Sequence, residues 1–409
     1  MELVYRCCAG IDVHKQMLAV CVSTWESGRS RWEKWTTGTT TGELRELARL
    51  LQDKGVERVA MESTGVYWMP VWNVLESGGC KLQLVNPEHC KPLRGKKTDL
   101  KDGERITELL QHGLLEGSFV PREQIRALRE LTRYRTRLAQ RQATISNRIQ
   151  KVLEEANIKL ASVASDVLGV SGRAMLRGLL RGDQTPESLA ALAKGRLREK
   201  TVELAAALDG HPLEHHRFLL ERMLEDLEHT EASILAVEQE LERHALPFEE
   251  ELRRLDGIPG VNRTAALSIL AEVGDDMGQF PTFKHLVSWA GICPGNHQTG
   301  GKRLKGTTRK GNRWLRRCLC EAAWAAKNKK DSYFRAQYAR LSARRGHKRA
   351  ILAVANSLLT AAYFMLSQKT EYRELGAQYF DLRQKESLVK RSIKRLEKLG
   401  YKVTLSHAA

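Results

Sequence analysis

Four acidic residues in the first quarter of the chain have the types and spacing of a metal site. Asp12 lies midway along "GIDVHKQMLAVCV" (residues 10–22), whose alternating apolar residues predict a buried strand. Burying a lone carboxylate is costly unless something compensates its charge. Glu62 ends a second predicted buried strand, "VERVAMES", and Asp99 and Asp102 lie three apart at the start of a predicted helix.

The predicted elements could bring these carboxylates together. Adjacent parallel strands would set Asp12 beside Glu62, and the helix would lay Asp99 and Asp102 against them. Converging carboxylates repel each other, and divalent cations relieve that repulsion. Two Mg²⁺ ions about 3.5 to 4 Å apart in such a cluster are a recurring arrangement for phosphodiester cleavage. Alternatively, Asp99 and Asp102 complement the helix dipole, which leaves Asp12 unexplained.

A second constellation surrounds a hydroxyl in a run of turn-forming residues. Thr299 is the only hydroxyl in "PGNHQTGG" (residues 294–301), where glycines let the backbone approach a phosphate closely. A hydroxyl needs a base or a metal to become a nucleophile, and His297 is the candidate base within this run. The alternative is that Thr299 makes a local hydrogen bond in a turn. The cations that would neutralise a DNA phosphate here are Lys302, Arg303, Lys305, Arg309, Lys310 and Arg313.

The charge of the chain is concentrated next to this hydroxyl. The 409 residues carry 67 Lys and Arg against 49 Asp and Glu, a formal net charge of +18. Residues 301–349 alone hold 17 Lys and Arg and 2 acids, a net +15. A solvated basic face is the alternative for any such run, but this concentration favours a partner with a phosphate backbone. Nucleic acid is the leading candidate.

The stretches around these residues predict an α/β domain followed by helical domains. Three strand-like runs in residues 4–37 predict an antiparallel meander, and later strands alternate with helices, as in a mixed sheet. Two series of apolar residues then repeat every seven positions, which indicates an antiparallel coiled-coil hairpin or, equally, a helical bundle. The series are Leu131, Leu138, Ile145 and Val152, then Leu213, Leu220, Leu227, Ile234 and Leu241.

The predicted boundaries divide the chain into four parts. Residues 1–118 form the α/β domain, 119–250 the coiled-coil or helical linker, 251–368 a mainly helical domain, and 369–409 a basic helical tail. The most apolar stretch, residues 351–367, contains polar residues and is slightly short for a membrane span of about 20 residues. It predicts a buried helix, and the start of the chain lacks a signal-peptide pattern. We expect a cytoplasmic protein without a membrane partner.

A Gly-containing turn joins two predicted helices in the third part. In "LDGIPGVNRTAAL", the turn resembles that of a helix-hairpin-helix. Backbone N–H groups at Gly257 and Gly260 could hold a phosphate there. A plain connector between core helices is an equally good interpretation.

Two sets of motifs together resemble one known family. The meander with its central Asp, "AMESTGVYW" and "KTDLKDGERI" resemble the ribonuclease-H-like, RuvC-like domain of the DEDD insertion-sequence transposases, recombinases guided by an element-encoded bridge RNA. "LVSWAGICPGNHQTGGKRLKGTTRKGNRWLRRCLCEAAWAA" is similar to their C-terminal transposase domain, where a Gly-rich turn, a nucleophilic hydroxyl and a basic stretch lead into a helix. The resemblance spans roughly residues 5–368.

This resemblance implies a site-specific DNA recombinase. Asp12, Glu62, Asp99 and Asp102 would hold Mg²⁺, and Thr299 would attack the scissile phosphate to give a covalent 5′-phospho-protein intermediate. Strand exchange between donor and target double-stranded DNA, chosen by the guide RNA, would follow in a homotetramer bridged by the coiled coils. The sequence departs from the family at one point. The nucleophile of the family is a serine, whereas this sequence has Thr299 at the matching position, and the hydroxyl of threonine is more hindered.

Three other classes of protein share some of these features. A Holliday-junction-type nuclease of the same fold would use metal-activated water and would not need Thr299. A non-catalytic basic nucleic-acid-binding protein would not need all four acids at these positions. A ribonuclease-H-like ATPase or sugar kinase would need Gly-rich phosphate loops beside Asp12, and "IDVHKQ" has none.

Overall fold

The computed structural model describes most of the chain. The described residues are 3–63, 65–86, 99–182, 184–294, 298–299, 302–303, 308 and 310–404, with backbone alone at 99–100, 298–299, 302–303 and 386–388. They form two compact units, Met1–Glu123 and Gln124–Ala409. The α/β character of the first unit and the helical character of the second confirm the predicted fold class at that level. The finer division of the second unit stays a prediction.

The first unit is built on a six-stranded mixed sheet in the order β3-β2-β1-β4-β5-β6. The first three strands form the predicted antiparallel meander, β4 lies parallel to β1 and β5 parallel to β4, and β6 is antiparallel to β5. The strands are β1 Cys7–Val13, β2 Met17–Glu26, β3 Arg29–Gly38, β4 Arg58–Glu62, β5 Leu82–Val85 and β6 Gly117–Ser118, and the helices are α1 Thr41–Asp53, α2 Trp68–Ser77 and α3 Asp99–Gln111.

The alternation of side chains along β1 and β4 builds a different core on each face of the sheet. Ile11 and Met61 belong to a core that also contains the apolar residues of α1 and α2. Cys8 and Ala60 belong to a second core with Ile106 of α3. The sheet is therefore covered by α1 and α2 on one face and by α3 on the other.

The second unit begins with a long antiparallel helical hairpin. Its helices are α4 Glu123–Glu155 and α9 Glu214–Ala245. Arg135 of α4 binds Glu238 of α9, and Gln142 donates to Glu231, so the residue numbers run in opposite directions along the hairpin. Their far ends share a core with the short intervening helices. These are α5 Leu160–Val163, α6 Val170–Arg181, α7 Pro186–Ala190 and α8 Thr201–Leu208.

The two heptad series fall on these two helices, except that Leu213 directly precedes α9. In α4, Leu138, Ile145 and Val152 are buried, and in α9 Leu220 and Leu227 are buried. The long hairpin agrees with the prediction for this part of the chain. Supercoiling of the two helices as a coiled coil stays a prediction.

The rest of the second unit is helical and carries the basic segment. Its helices are α10 Glu249–Asp256, α11 Arg263–Val273, α12 Phe283–Trp289, α13 Arg313–Ala326, α14 Tyr333–Arg345, α15 His347–Gln368, α16 Tyr379–Arg383 and α17 Lys385–Lys398, and a small hairpin is formed by β7 Gln298–Thr299 and β8 Lys302–Arg303. Within the described part of the chain, α15 alone has the length and hydropathy of a membrane span, and half of that stretch is buried in the fold.

The segment after α15 packs onto α14 before the last helix begins. Glu374 accepts a hydrogen bond from the backbone N–H of Tyr333 at 2.8 Å, and the ring of Phe380 stacks on Tyr333 with centroids 5.0 Å apart. The predicted tail is thus attached to the helical unit through its first part.

Gly10 in β1 offers a test of how closely α3 packs on the sheet. A Cβ there would lie 2.5 Å from Thr107 Oγ1 and 2.6 Å from Gly103 O, and both distances are shorter than van der Waals contact allows. We expect Gly10→Ala to lower the free energy of unfolding by about 3 kcal/mol through overpacking. The control is Gly42→Ala in α1, whose Cβ would meet open space. Urea denaturation followed by circular dichroism measures both, and equal midpoints would contradict the close packing.

Candidate active site

The two strand carboxylates lie at the ends of adjacent parallel strands. β1 and β4 pair in a register that places Gly10 opposite Ala60 and Ile11 opposite Met61. The next residue on each strand is Asp12 and Glu62, and Glu62 is the last residue of β4. Because in-register neighbours of parallel strands point to the same face, these two carboxylates share one face of the sheet.

That face is the one covered by α3. Cys8 donates from its thiol to the carbonyl of Thr107 at 3.7 Å, whereas Gly10 lies against Gly103 as well as Thr107. Moving along β1 toward Asp12 therefore moves toward the start of α3. The first turn of this helix runs from Asp99 to Asp102, so all four predicted acids come from elements that converge at one end of the sheet.

The side chains of the four acids differ in what the structure describes. Asp12 is buried, with 7 % of its surface exposed, while Glu62 and Asp102 are half-buried. Asp99 is described by its backbone alone. Among the side chains that are described, no three His, Cys, Asp or Glu residues are close enough to share a metal ion. Still, the carboxylate oxygens of Asp12 and Glu62 are the donor type that Mg²⁺ prefers, so this part of the set fits the ion.

A histidine lies beside this pair, although the sequence analysis assigned it no role in the site. His14 follows Asp12 by two positions, and its Nε2 atom lies 3.2 Å from Asp12 Oδ2. The spacing "DVH" in a strand places both side chains on one face, and that signal was available in the sequence. His14 is therefore close enough to orient the Asp12 carboxylate.

The cysteines near the site, Cys8 and Cys21, are not nucleophiles. Burial raises the pKa of the Cys8 thiol to about 12. Burial also raises the pKa of Cys21 on β2, although its hydrogen bond with Thr107 opposes this shift. Both side chains are therefore neutral thiols at physiological pH and act as small packing residues.

The second predicted constellation forms a β-hairpin in the helical unit. Thr299 pairs with Lys302 and Gln298 with Arg303. Thr299 is thus a strand residue directly before the two glycines at 300–301, rather than a residue within a turn. The side chains of Thr299, Lys302 and Arg303 are outside the described part of the chain. Of the other predicted cations, Lys310 and Arg313 are exposed, and Lys305 and Arg309 lie outside the described residues.

The two chain segments that lead into and out of this β-hairpin pack on the helical core. Pro294 and Thr308 form an antiparallel bridge, and Arg316 of α13 donates to Thr308 Oγ1 at 3.2 Å. A Cβ at Gly311 would lie 2.4 Å from the backbone nitrogen of Gly291, so the chain enters and leaves the hairpin side by side. The hairpin is fixed at its base by backbone contacts and by one arginine.

A buried carboxylate connects the base of this β-hairpin to the long helical hairpin of α4 and α9. Glu272 at the end of α11 is 2 % exposed and accepts two hydrogen bonds from Arg133 of α4, at 2.7 and 2.8 Å. It also accepts one from the Asn312 side chain at 2.5 Å. Asn312 in turn caps α13 by accepting from the backbone N–H groups of Trp314 and Leu315.

A second arginine of α4 completes this network. Arg129 lies 3.5 Å from the Glu272 carboxylate and donates to the backbone carbonyls of Ala271 and Glu272. Burial lowers the pKa of Arg129 to about 10, while the charge of Glu272 acts in the opposite direction. Helices α4, α11 and α13 therefore meet at one compensated buried charge.

The turn at residues 257–261 behaves as a connector. The backbone N–H of Gly257 donates to the carbonyls of Arg253 and Arg254. Gly260 has a positive φ of 88°, and a Cβ there would lie 2.5 Å from the Ala322 carbonyl of α13. These contacts favour close packing of the turn on α13 over the interpretation that the two glycines hold a phosphate.

Comparison with known proteins identifies a class. The family described as "Transposase", of the DEDD IS110 type, matches residues 9–158, and the family described as "Transposase IS116/IS110/IS902 family" matches residues 252–339. The chain is 28 % identical over 380 residues to the transposase for insertion sequence element IS1111A of Coxiella burnetii, covering 89 % of this chain and 90 % of the relative. It is 27 % identical to the "Probable family 20 transposase" of Pseudomonas aeruginosa, covering 77 % and 85 %.

These matches define a transposase, an enzyme that processes DNA. The first matched range contains all four acids that were predicted to bind metal, and the second contains the hairpin with Thr299. The chain belongs to the IS110 family of DEDD insertion-sequence transposases. Divalent-metal dependence is general in DEDD transposases.

The buried Glu272 network predicts a large effect on stability. Glu272→Gln removes the charge that compensates Arg129 and Arg133, and we expect a loss of about 3 kcal/mol, as for other broken buried ion pairs. The control Glu225→Gln removes an exposed i,i+3 partner of Arg222, which should cost under about 1 kcal/mol. Urea denaturation measures both variants, and similar losses would show that the network is not a structural centre.

Proposed function

We propose that this chain is a site-specific DNA recombinase of an insertion sequence that cuts and exchanges strands with two sets of residues. Asp12, Glu62, Asp99 and Asp102 are the metal-binding acids, and Thr299 supplies the nucleophilic hydroxyl. The observation that carries the proposal is the parallel register of β1 and β4, which pairs Ile11 with Met61 directly before Asp12 and Glu62, on the face covered by α3.

The acids divide the work of holding and orienting the reacting groups. Asp12 and Glu62 supply carboxylate oxygens from rigid strands, and Asp99 and Asp102 supply them from the first turn of α3. These acids would hold Mg²⁺, which would supply positive charge to polarise the scissile phosphate. His14, next to Asp12, orients the Asp12 carboxylate through its Nε2 atom.

The covalent step proceeds at the hairpin of the helical unit. The Thr299 hydroxyl oxygen bonds to phosphorus as the bond from phosphorus to the 3′ oxygen of the neighbouring nucleotide breaks. His297, two positions earlier in the sequence, takes the hydroxyl proton and then delivers it to the leaving 3′ oxygen, which becomes a free hydroxyl. The 5′ phosphate stays on Thr299, and a 3′ hydroxyl of the exchanged strand reverses the step.

The partners in this proposal are nucleic acids and further copies of the chain. Donor and target double-stranded DNA are the substrates, and an element-encoded guide RNA selects them within a homotetramer. The family and the net charge of +15 in residues 301–349 support a nucleic-acid partner. Positive charge alone binds phosphates and carries no sequence information. Base pairing by an RNA supplies the missing specificity.

The role of Asp12 is tested by removing its charge. We expect Asp12→Asn to lower DNA cleavage about 100-fold or more, the size typical for losing one group that stabilises a transition state. Binding of DNA and the melting temperature should persist, because the substitution is isosteric and reduces repulsion between carboxylates. The control is Asp53→Asn at the exposed end of α1, which should cut DNA normally. Normal cleavage by the Asp12 variant would sink the assignment.

The role of Thr299 is tested by trapping the covalent adduct with labelled DNA on a denaturing gel. Thr299→Ser should form as much adduct as the wild type or more, since a primary hydroxyl is less hindered, and Thr299→Ala should form none. Thr307→Ala is the control, because this hydroxyl lies outside "PGNHQTGG" and should not matter. Cleavage without any adduct in the wild type would instead favour a nuclease that uses metal-activated water.

A further inference from the structure

Three arginine side chains converge on the indole ring of Trp314, the second residue of α13. The guanidinium carbons of Arg313, Arg137 and Arg133 lie 4.9, 5.6 and 5.7 Å from the ring centroid. Each distance is within the range of a cation–π interaction. Trp314 is half-buried, so it retains an accessible part. Arg313 belongs to α13, whereas Arg133 and Arg137 belong to α4, so the three cations come from distant parts of the sequence.

The charges of these arginines are not equally compensated. Arg133 is held and neutralised by Glu272. Arg137 and Arg313 are exposed, and within the described part of the chain neither forms an ion pair with a carboxylate. Other arginines of α4 do form such pairs, as Arg135 and Arg141 show. Two like charges beside one ring repel each other, and an anion between them would remove that repulsion.

The start of α13 adds a second, independent reason to expect an anion. Its first residues are "RWLRR", and its first turn contains no acidic residue. The N-terminus of a helix is the positive end of its dipole, where negative groups stabilise and positive groups do not. Arg313 is the first residue of the helix, so its charge adds to the positive end instead of compensating it. This arrangement is unfavourable in isolation and favourable next to a phosphate.

We propose that Arg137, Arg313 and Trp314 form a binding surface for the phosphate backbone of a nucleic acid, here called the α4–α13 patch. The planar guanidinium groups match phosphate oxygens, and the indole offers a face to a base or a ribose. Arg133, fixed by Glu272, keeps the ring in place. The patch extends the nucleic-acid contact from the basic segment onto α4, outside residues 301–349. The inference rests on nucleic acid being the substrate class, but not on Asp12 or Thr299.

The α4–α13 patch is tested by the salt dependence of binding. Arg137→Gln, Arg313→Gln and the double variant are compared with the wild type by fluorescence anisotropy, using a short duplex DNA and a single-stranded RNA of the same sequence. Each lost phosphate contact should reduce the slope of log affinity against log salt by about 0.9 for duplex and about 0.7 for single strands. Arg148→Gln is the matched control, because it removes the same charge from an exposed position of α4.

The two probes identify the source of the phosphate. A reduced slope with the duplex alone assigns the patch to DNA, and a reduced slope with the RNA alone assigns it to RNA. A reduced slope with both probes shows that the patch binds the backbone of either nucleic acid. Each of these results supports the proposal. Melting temperatures confirm that the variants are folded. Slopes and affinities equal to those of Arg148→Gln on both probes would overturn the proposal, and normal cleavage by the same variants would leave the proposed function intact. A wild type that binds neither probe would refute the proposed function itself.

Discussion

The approach of α3 to the sheet is the constraint on which the first unit depends. Because Gly10 has no side chain, the backbone of α3 at Gly103 can rest directly on β1. The direction of α3 relative to β1 then brings its first turn to the end of the strand where Asp12 lies. Asp12 and Glu62 already follow directly after paired residues of two adjacent parallel strands. A larger residue at position 10 would lift the helix and with it the two acids that it carries.

In the helical unit, a compensated charge has the corresponding role. Glu272 is almost inaccessible to water, and its contacts join α4 and the cap of α13. The hairpin with Thr299 is anchored to the residues just before α13, so the position of the hairpin depends on that cap. Arg133, which binds Glu272, also makes a cation–π contact with Trp314. Structural and proposed nucleic-acid-binding groups therefore meet around one helix end.

Regular patterns made much of this architecture predictable from the sequence. Alternating apolar residues predict the strands of the meander, and the apolar run that ends near Glu62 predicts β4. Heptads likewise predict the two long helices. The Gly300-Gly301 pair is a known two-residue hairpin signal, and it could have shown Thr299 to be a strand residue. Alternation also places His14 on the same face as Asp12, but its contact with the Asp12 carboxylate was not predicted.

Contacts between distant residues were not predictable. Arg133 and Glu272 are 139 positions apart, and neither helix carries a local signal for the other. Trp314 is half-buried, and the arginines around its ring come from both α4 and α13. A single glycine in a strand also does not indicate which helix will contact it. Such features arise from tertiary packing, which periodicity and propensity do not specify.

The central claim is that the ends of β1 and β4 and the start of α3 form one metal-dependent site. Iron-mediated cleavage tests it directly, because Fe²⁺ bound in place of Mg²⁺ generates hydroxyl radicals that cut the nearby backbone. With ascorbate and peroxide, we predict chain cuts close to Asp12, Glu62 and residues 99–102, all suppressed by excess Mg²⁺. Cuts confined to other parts of the chain, or cuts that Mg²⁺ does not suppress, would contradict this account.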